Sequence, residues 1–530
     1  MIPVFTFDEI RDIEKNIIEK ESIPSIILME NAGKNSFDVI SKEIKNLGDK
    51  DIFIICGKGN NAGDGFTFAR HCLVNNIPVT IVLVVEPSNL KGDALINYEI
   101  LKKIPLYGEN NGRELSEITF DDFVKRIKKL TKKNSVIIDA ILGTGIKGQL
   151  DETFSSVIKS LNDLKISKSI KIISLDVPSG VMSGEQVNPI INADFTVSMG
   201  TYKAELLFNE GKENTGVLHV VPIGITIGLL KKYNSKGIYL IQTSDVNKLF
   251  PKRRKTSYKY ANGKVLIIGG SRGLSGAIAM SGLSALKSGA GGVVAAMPKS
   301  ISAIFNRKLY EVMTVDLDET NEGTIKSDQY DNIKKRMDWA DTVLLGPGIS
   351  TNEETKEFVF DVIKNCEKDM VIDADGLNLL SSDVLVLKNR KHDNEIILTP
   401  HPGEFSRLTG IDTKQILLNR FELLRNFVKE HNVNVALKSE TTVSCTRSGD
   451  IFINSSGNET LAMAGSGDVL SGIMVSLFSQ TRDPKAALIC SNYLHGLCAD
   501  LYAEKTGNKQ TASPQDMIKL IPTAVSNILP

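Results

Sequence analysis

Asp468 lies where a carboxylate could take part in phosphate chemistry. It directly follows the segment AGSG, residues 464–467, and precedes a long apolar stretch. Glycines at the start of a helix leave backbone N–H groups free, and such groups bind phosphate. A carboxylate beside that site suits a base that takes a proton from a hydroxyl as the oxygen attacks phosphorus. The alternative is that Asp468 only complements the dipole of the predicted helix Gly467–Phe478.

A second glycine-rich segment, GKGNNAGDG at residues 57–65, follows the apolar run Ile52–Cys56. It precedes the predicted helix Phe66–Val74, so we predict a loop whose N–H groups would hold a phosphate. Its spacing matches neither GxGxxG nor the Walker A pattern. The alternative is a tight turn, but a turn requires only one or two glycines. The segment therefore predicts an anion-binding loop.

Two further apolar runs carry a carboxylate and end in polar segments. Val136–Leu142 contains Asp139 and leads into GTGIKGQL, and Ile172–Val177 contains Asp176 and leads into PSG. The carboxyl ends of parallel strands meet at one crevice, so we expect both segments to converge with residues 57–65. Asp176 is then a candidate general acid or base, and Asp139 is a structural residue or a cation ligand. The alternative for each is a cap on the following helix.

Four glycine- or proline-rich segments of the second half also follow apolar runs. Each places polar groups at the carboxyl end of a predicted strand, which favours the interpretation of Asp468 as a base. They are GGSRGLSGA at 269–277, GPG at 346–348, DADGLNLL at 373–380 and TPHPGEFSRL at 399–408.

The elements that must position these residues form two α/β series. Short, almost entirely apolar runs alternate with helix-length stretches, as is typical of parallel strands buried on both faces. The pattern weakens over 225–262, so we predict two domains, 1–230 and 240–530. The last runs, between 433 and 453, lie close together and predict some antiparallel pairing. Beyond those named above, the predicted strands are Val79–Val85, Phe195–Met199, Val217–Val221, Val265–Ile268, Val293–Ala296, Val343–Leu345, Val371–Ile372, Ile396–Leu398, Val433–Leu437, Thr442–Cys445 and Ile451–Ile453.

Composition excludes several classes of protein. The 530 residues carry 63 basic and 63 acidic side chains, and this balance argues against a nucleic-acid partner. The apolar runs are too short for a membrane span and the start lacks a secretory pattern, so we expect a cytoplasmic protein with no membrane partner. The six cysteines form no CxxC pair, and we expect buried thiols instead of a zinc site. We also expect a homo-oligomer.

The segments GNNAGDG, DAILGTGIKG and DVPSG, with LMENAG at 28–33, resemble the N-terminal domain of NAD(P)H-hydrate epimerases. This resemblance covers about residues 1–225 and implies a Rossmann-like domain that interconverts the R and S forms of hydrated NADH or NADPH. It implies that Asp176 is the acid/base at the hydroxyl-bearing ring carbon, and that a potassium ion is bound by Asn61, Asp139 and Ser179. The implied substrate-binding residues are Asn60, Asn61, Ala62, Gly63, Asp64, Gly143, Thr144, Gly145, Ile146, Lys147, Gly148, Gln149 and Asp176.

The motifs of the second half resemble the ribokinase-like fold and, as a set, the ADP- or ATP-dependent NAD(P)H-hydrate dehydratases. The resemblance covers about residues 240–525. It implies that Asp468 activates the ring hydroxyl, that phosphate from the nucleotide is transferred to that oxygen, and that phosphate then leaves. Mg²⁺ is expected with the ADP or ATP. The implied hydrate contacts are Ala277, Gly348, His401 and Asp468, and the implied nucleotide contacts are Lys438, Ser439, Glu440, Thr441, Thr442 and Gly467.

Together the resemblances predict a bifunctional repair enzyme that epimerises hydrated NADH or NADPH and dehydrates the S epimer. One alternative is a ribokinase-type small-molecule kinase fused to a nucleotide-binding domain. Another is that the first domain is a ligand-binding or scaffold module. Two residues depart from the dehydratase pattern: Ser439 replaces the usual glycine, and Tyr258 stands where a histidine is frequent. A positive φ at residue 439 would make the serine costly.

Overall fold

The chain divides into two compact units. The computed structural model describes residues 1–103, 115–129, 135–168, 170–307 and 309–529. Contacts between residues separate Ile2–Ser235, here the N-terminal unit, from Lys236–Pro530 together with Met1, here the C-terminal unit. The division lies between residues 230 and 240. The activity assigned to each domain by sequence stays a prediction.

The N-terminal unit alternates strands and helices along most of its length. Its strands are β1 (Ile2–Phe5), β2 (Asp51–Cys56), β3 (Val79–Leu83), β4 (Ser116–Thr119), β5 (Ser135–Ala140), β6 (Lys171–Leu175), β7 (Phe195–Met199), β8 (Tyr202–Lys203) and β9 (Val217–Val221). Its helices are α1 (Phe7–Lys20), α2 (Ser25–Glu43), α3 (Asn60–Val74), α4 (Gly92–Lys103), α5 (Phe120–Lys129), α6 (Glu152–Lys168), α7 (Asn209–Thr215) and α8 (Ile227–Tyr233).

A 7-stranded sheet in the order β4-β3-β2-β5-β6-β7-β9 forms the centre of this unit. All of its neighbouring strands are parallel. Alternate residues of β2 face two different apolar cores, Ile52 and Ile54 on one side and Phe53 and Ile55 on the other. The strand order reverses between β2 and β5, and ligands bind at such a reversal. The order is that of a Rossmann-like sheet, which confirms the predicted class.

The segment GNNAGDG is not a loop, contrary to the prediction: α3 begins at Asn60. Its glycines allow the helix to pack closely. A Cβ on Gly65 would lie 2.8 Å from the Cβ of Ala140, and one on Gly63 would lie 2.6 Å from the sulfur of Met29. Glycine and asparagine disfavour helix in isolation, and here the close packing outweighs that preference.

The C-terminal unit has the same alternation. Its strands are β10 (Ile238–Leu240), β11 (Lys264–Ile268), β12 (Gly292–Pro298), β13 (Met313–Leu317), β14 (Thr342–Leu345), β15 (Asp369–Ile372), β16 (Ile396–Leu398), β17 (Asn434–Leu437), β18 (Val443–Cys445) and β19 (Ile451–Ile453). Its helices are α9 (Thr243–Leu249), α10 (Ser275–Lys287), α11 (Lys299–Asn306), α12 (Tyr330–Trp339), α13 (Glu353–Asn365), α14 (Asp375–Leu380), α15 (Pro402–Thr409), α16 (Thr413–Leu418), α17 (Arg420–His431), α18 (Ser466–Thr481), α19 (Pro484–Thr506) and α20 (Pro514–Ile528).

The strands of this unit follow the order β13-β12-β11-β14-β15-β16-β17-β18-β19-β10. They are parallel from β13 to β17, and β18 pairs antiparallel with both β17 and β19. The predicted antiparallel pairing near the end is therefore confirmed, as is the α/β class. The order reverses between β11 and β14, so the glycine-rich segments that follow these strands lie at a second position favourable for ligands.

Several short strands were not predicted, because they lack a continuous apolar run. In β4 the exposed positions alternate with partly buried ones, and β13 has two exposed positions among its five. β10 lies in the weakly patterned stretch 225–262. The six cysteines are free and buried, as expected. Of the helices in the described ranges, none combines the length and the apolar character that a bilayer crossing requires.

Candidate active sites

A cavity of about 570 Å³ opens at the carboxyl ends of β2, β5 and β6. Strand ends, helix starts and α1 contribute its lining. Three predicted residues, Ala62, Gly63 and Gly148, do not line it. Ala62 and Gly63 are buried within α3 instead. The predicted residues that line the cavity are Asn60, Asn61, Asp64, Gly143, Thr144, Gly145, Ile146, Lys147, Gln149 and Asp176.

Asp176 is held in an unusual backbone conformation at the end of β6. Its φ is +64°, a value that non-glycine residues seldom adopt and that is found preferentially at functional sites. Its N–H donates to the carbonyl of Val197 at 2.8 Å. Its Oδ1 accepts from the Nζ of Lys203 at 2.6 Å and from the N–H of Met199 at 3.2 Å. One carboxylate oxygen is thus fixed, which orients the side chain.

Lys203 is a residue of this site that the sequence did not reveal. Its side chain is 2% exposed, and its Nζ also donates to Ser198 Oγ and to the Met199 carbonyl, both at 3.0 Å. Burial of a lysine requires such pairing. The signal was weak, since Lys203 follows an apolar strand by only a few residues and no motif contains it.

Asn61, which lines the cavity, lies close to Asp139 and Ser179, which do not line it. Ser179 Oγ donates to Asp139 Oδ1 at 2.5 Å, and Asn61 Nδ2 donates to the Leu142 carbonyl at 3.0 Å. That carbonyl also lies 3.2 Å from Ser179 Oγ. The Oδ1 of Asn61 is buried and has no hydrogen-bond partner among the described residues. A buried acceptor without a donor is costly, and a cation would satisfy it.

This set of oxygens fits a hard monovalent cation such as potassium. The Asn61 amide, the Ser179 hydroxyl and the Leu142 carbonyl lie together beside a single carboxylate, and oxygen ligands of these kinds suit a hard cation. Within the described residues, no three His, Cys, Asp or Glu side chains gather as transition-metal ligands would. Burial raises the pKa of Asp139, while hydrogen bonds from Ser179 and Ser174 oppose that rise.

Asp468 occupies the first turn of α18, as predicted, behind the left-handed Gly465. Lys438, at the end of β17, donates to Asp373 Oδ1 at 2.7 Å, and Asp373 is only 1% exposed. A Cβ on Gly467 would lie 3.4 Å from Lys438 Nζ and 3.9 Å from Asp373 Oδ2. These are ordinary van der Waals distances, and they place the start of α18 directly beside this ion pair.

The surroundings of Asp468 suit a base that works near neutral pH. Burial raises the pKa of Asp468 to about 7, the negative charge of Asp373 adds to the rise, and Lys438 opposes it. A base is most effective when its pKa lies near the working pH. Asp373 belongs to the motif DADGLNLL, which the sequence had singled out. The sequence did not reveal that Asp373 would lie near Asp468.

His401 is the N-cap of α15. Its Nδ1 accepts from the N–H of Gly403 at 3.0 Å and of Glu404 at 3.3 Å, and Glu404 Oε2 accepts from the N–H of His401. Burial lowers the pKa of His401, and the nearby charge of Lys438 adds to the effect. A neutral ring whose Nδ1 accepts carries its proton on Nε2, and that nitrogen lies 3.5 Å from Oε1 of Glu404.

The remaining predicted residues fall into two neighbourhoods. Gly348 adopts a positive φ, and a Cβ built on it would lie 3.1 Å from the Cβ of Ala277, so these two positions adjoin. Glu440 forms an ion pair with Arg420 at 3.1 Å, and Ser439 Oγ donates to the Thr441 carbonyl at 2.9 Å. Thr442 ends the turn directly before β18, and its carbonyl accepts from the N–H of Asn454.

Ser439 causes no backbone strain. The backbone at Ser439 does not have a positive φ, so a serine is compatible with the turn after β17. Lys438 points to Asp373 in this structure, beside the start of α18. A nucleotide contact from Lys438 therefore stays a prediction, as do the contacts predicted for Glu440, Thr441 and Thr442.

Two protein-family models match the chain. The model described as NAD(P)H-hydrate dehydratase matches residues 265–523, and the model described as YjeF-related protein N-terminus matches residues 25–204. Among solved structures, an ADP/ATP-dependent NAD(P)H-hydrate dehydratase from Bacillus subtilis, co-crystallised with ATP and Mg²⁺, is 26% identical. The match covers 54% of this chain and 97% of the Bacillus subtilis chain, with a TM-score of 0.46.

Curated relatives match over nearly the whole length. The bifunctional NAD(P)H-hydrate repair enzyme Nnr of Moorella thermoacetica is 33% identical over 99% of this chain and 96% of the relative. The protein of the same name from Escherichia coli is 30% identical over 96% of this chain and 91% of the relative. The two halves thus match in the order in which their motifs occur, and the chain belongs to the family of bifunctional NAD(P)H-hydrate repair enzymes.

Proposed function

We propose that the N-terminal unit epimerises hydrated NADH or NADPH and that the C-terminal unit dehydrates the S epimer with ADP or ATP. The assignment follows the predicted domains, 1–230 and 240–530. The observation that carries it is the position of Asp468 in the first turn of α18, close to Lys438 and Asp373, where burial raises its pKa to about 7.

Dehydration requires that a poor leaving group becomes a good one. Asp468 takes the proton of the ring hydroxyl as that oxygen attacks the terminal phosphorus of the nucleotide. The N–H groups of residues 464–467 stabilise the transferring phosphoryl group. The ring nitrogen then donates its lone pair, the carbon–oxygen bond breaks and inorganic phosphate leaves. A neighbouring proton is lost, and the dihydronicotinamide is restored.

The residues around Asp468 divide into two binding roles. Ala277, Gly348 and His401 contact the hydrate, and the neutral His401 ring carries its proton on Nε2, beside Oε1 of Glu404. The turn 438–442 and Gly467 contact the nucleotide. Mg²⁺, when bound with the nucleotide, neutralises charge that develops on the phosphates.

The N-terminal cavity suits proton transfer on the same substrate. Asp176 lines it with one oxygen fixed by Lys203, and the carboxylate acts as acid/base at the hydroxyl-bearing carbon. Asn60, Asp64 and the segment 143–149 hold the dinucleotide. Potassium at Asn61, Asp139 and Ser179 would place a positive charge behind these segments.

The test is incubation of the full chain with an R/S mixture of NADH hydrate and either ADP or ATP. Chromatography follows both epimers, and inorganic phosphate and dihydronicotinamide absorbance are measured alongside. The proposal predicts that both epimers disappear and that phosphate and NADH appear in equal amounts. A stable phosphorylated product would instead favour a ribokinase-type kinase, and loss of only one epimer would contradict the epimerase assignment.

A further inference from the structure

Glu14 is a carboxyl group in the N-terminal cavity that the chemistry above does not use. Glu14 lies on α1 and lines the cavity, and Asp176 lines the same cavity from the end of β6. Among the described residues, no hydrogen bond or ion pair engages its carboxyl group, whereas Asp176 is fixed by Lys203 and Met199. A partly buried carboxyl group without a protein partner is available to a ligand in that cavity.

The charges around Glu14 distinguish it from Asp176. Burial raises the pKa of Glu14 to about 7, the negative charge of Asp176 adds to the rise, and the cations Lys203 and Arg11 oppose it. Two carboxyl groups that share one site seldom ionise together, since like charges repel. Other charged residues also line the cavity and face the same space: Lys58, Asp64, Asp93, Lys147 and Asp151.

We propose that Glu14 is the acid that works with Asp176 in the epimerisation, an inference that rests on the proposed function of this unit. Glu14 gives its proton to the ring hydroxyl, the carbon–oxygen bond breaks, and water leaves. The lone pair of the ring nitrogen forms a carbon–nitrogen double bond. Water then adds to the opposite face of that carbon, the electron pair returns to nitrogen, and Asp176 takes the proton of the incoming water.

This sequence of steps is balanced and has a visible consequence. One carbon–oxygen bond is broken and one is formed, and no oxidant or reductant is required. The proton lost by Glu14 is gained by Asp176, and exchange with solvent restores both groups for the next turnover. Each inversion replaces the hydroxyl oxygen with one from solvent. Pairs of carboxyl groups in opposite protonation states are a recurring acid/base arrangement in enzymes.

The test compares Glu14→Gln with Glu19→Gln, an exposed residue of the same helix. The rate of conversion of pure S hydrate into R hydrate, without nucleotide, is measured between about pH 5 and pH 9. For the unaltered protein we expect kcat/KM to fall above about pH 7, where an acid of this pKa loses its proton. Glu14→Gln should lower the rate by roughly 10²- to 10⁴-fold and remove that alkaline fall. Glu19→Gln should change neither.

Three results would overturn the inference. The first is an unchanged alkaline fall in Glu14→Gln, which would assign the fall to another group. The second is removal of that fall by Asp64→Asn, because the pKa of Asp64 is also raised by burial. The third concerns the unaltered protein in water labelled with heavy oxygen. Inversion of the hydrate without uptake of labelled oxygen would contradict the loss and addition of water. Because the substitutions lie in the N-terminal unit, circular dichroism and thermal unfolding of the variants report its folding. Absence of epimerisation in the unaltered protein would refute the proposed function instead.

Discussion

Replacement of Asp468 by Asn separates the role of its charge from the role of its shape. The asparagine side chain has nearly the same volume, so it can occupy the same place in the first turn of α18. It cannot accept the hydroxyl proton. We therefore expect nucleotide-dependent dehydration to be lost and epimerisation in the N-terminal unit to continue at its normal rate.

The expected loss of dehydration rate is that of a positioned general base, and its pH dependence follows from the surroundings of Asp468. A positioned general base contributes about 10²- to 10⁴-fold, which corresponds to about 3–5 kcal/mol of activation free energy. Because burial and Asp373 raise the pKa of Asp468 to about 7, kcat/KM for dehydration should rise with pH up to that value and then level off. Any residual activity of the variant should lack this dependence.

Asp468→Asn should favour the folded state at alkaline pH, although it removes dehydration. The folded chain binds a proton at Asp468 more tightly than the unfolded chain, in which this carboxyl group has its ordinary pKa of 3.8. This contribution favours folding at low pH and is lost as pH rises through about 7, where a charged carboxylate must be buried. The melting temperature of Asp468→Asn, relative to the unaltered protein, should therefore be higher at about pH 8 than at about pH 5.

The assay measures phosphate release and NADH recovery from S hydrate, and calorimetry follows unfolding at both pH values. Asp361→Asn is the matched control, since Asp361 is exposed on α13. It should leave both activities and the pH dependence of unfolding unchanged. Dehydration by Asp468→Asn at near-normal rates would refute the assignment of the base. Loss of both activities would refute the two-site interpretation.

Three further outcomes are expected. Asp176→Asn should confine repair to the S epimer, as chromatography would reveal; complete repair of an R/S mixture at the normal rate would reject Asp176 as acid/base. Asn61→Ala removes the unpartnered Oδ1, so the potassium concentration for half-maximal epimerisation should rise by at least roughly tenfold. An unchanged potassium titration would argue against Asn61 as a ligand. A fragment of residues 236–530 should fold and dehydrate S hydrate, since these residues form a compact unit with its own apolar cores; a circular dichroism spectrum of an unfolded chain would contradict this.

The sequence was most informative where a residue's role depends on its neighbours in the chain. The buried strands were visible as apolar runs, because a strand covered on both faces needs apolar residues at every position. AGSGD was visible as a helix start because the free N–H groups are a local property. The sequence was misleading at GNNAGDG, where helix propensity predicted a loop and packing on Ala140 and Met29 made a helix.

By itself, the sequence determined the α/β class, the family and the position of Asp176 and Asp468 at strand or helix ends. The tertiary structure decided which charged groups face them. Lys203 reaches Asp176 from another strand, Lys438 and Asp373 join beside Asp468, and Glu14 enters the cavity from α1. These partners are distant in the chain, and only the folded structure brings their charges beside the carboxyl groups.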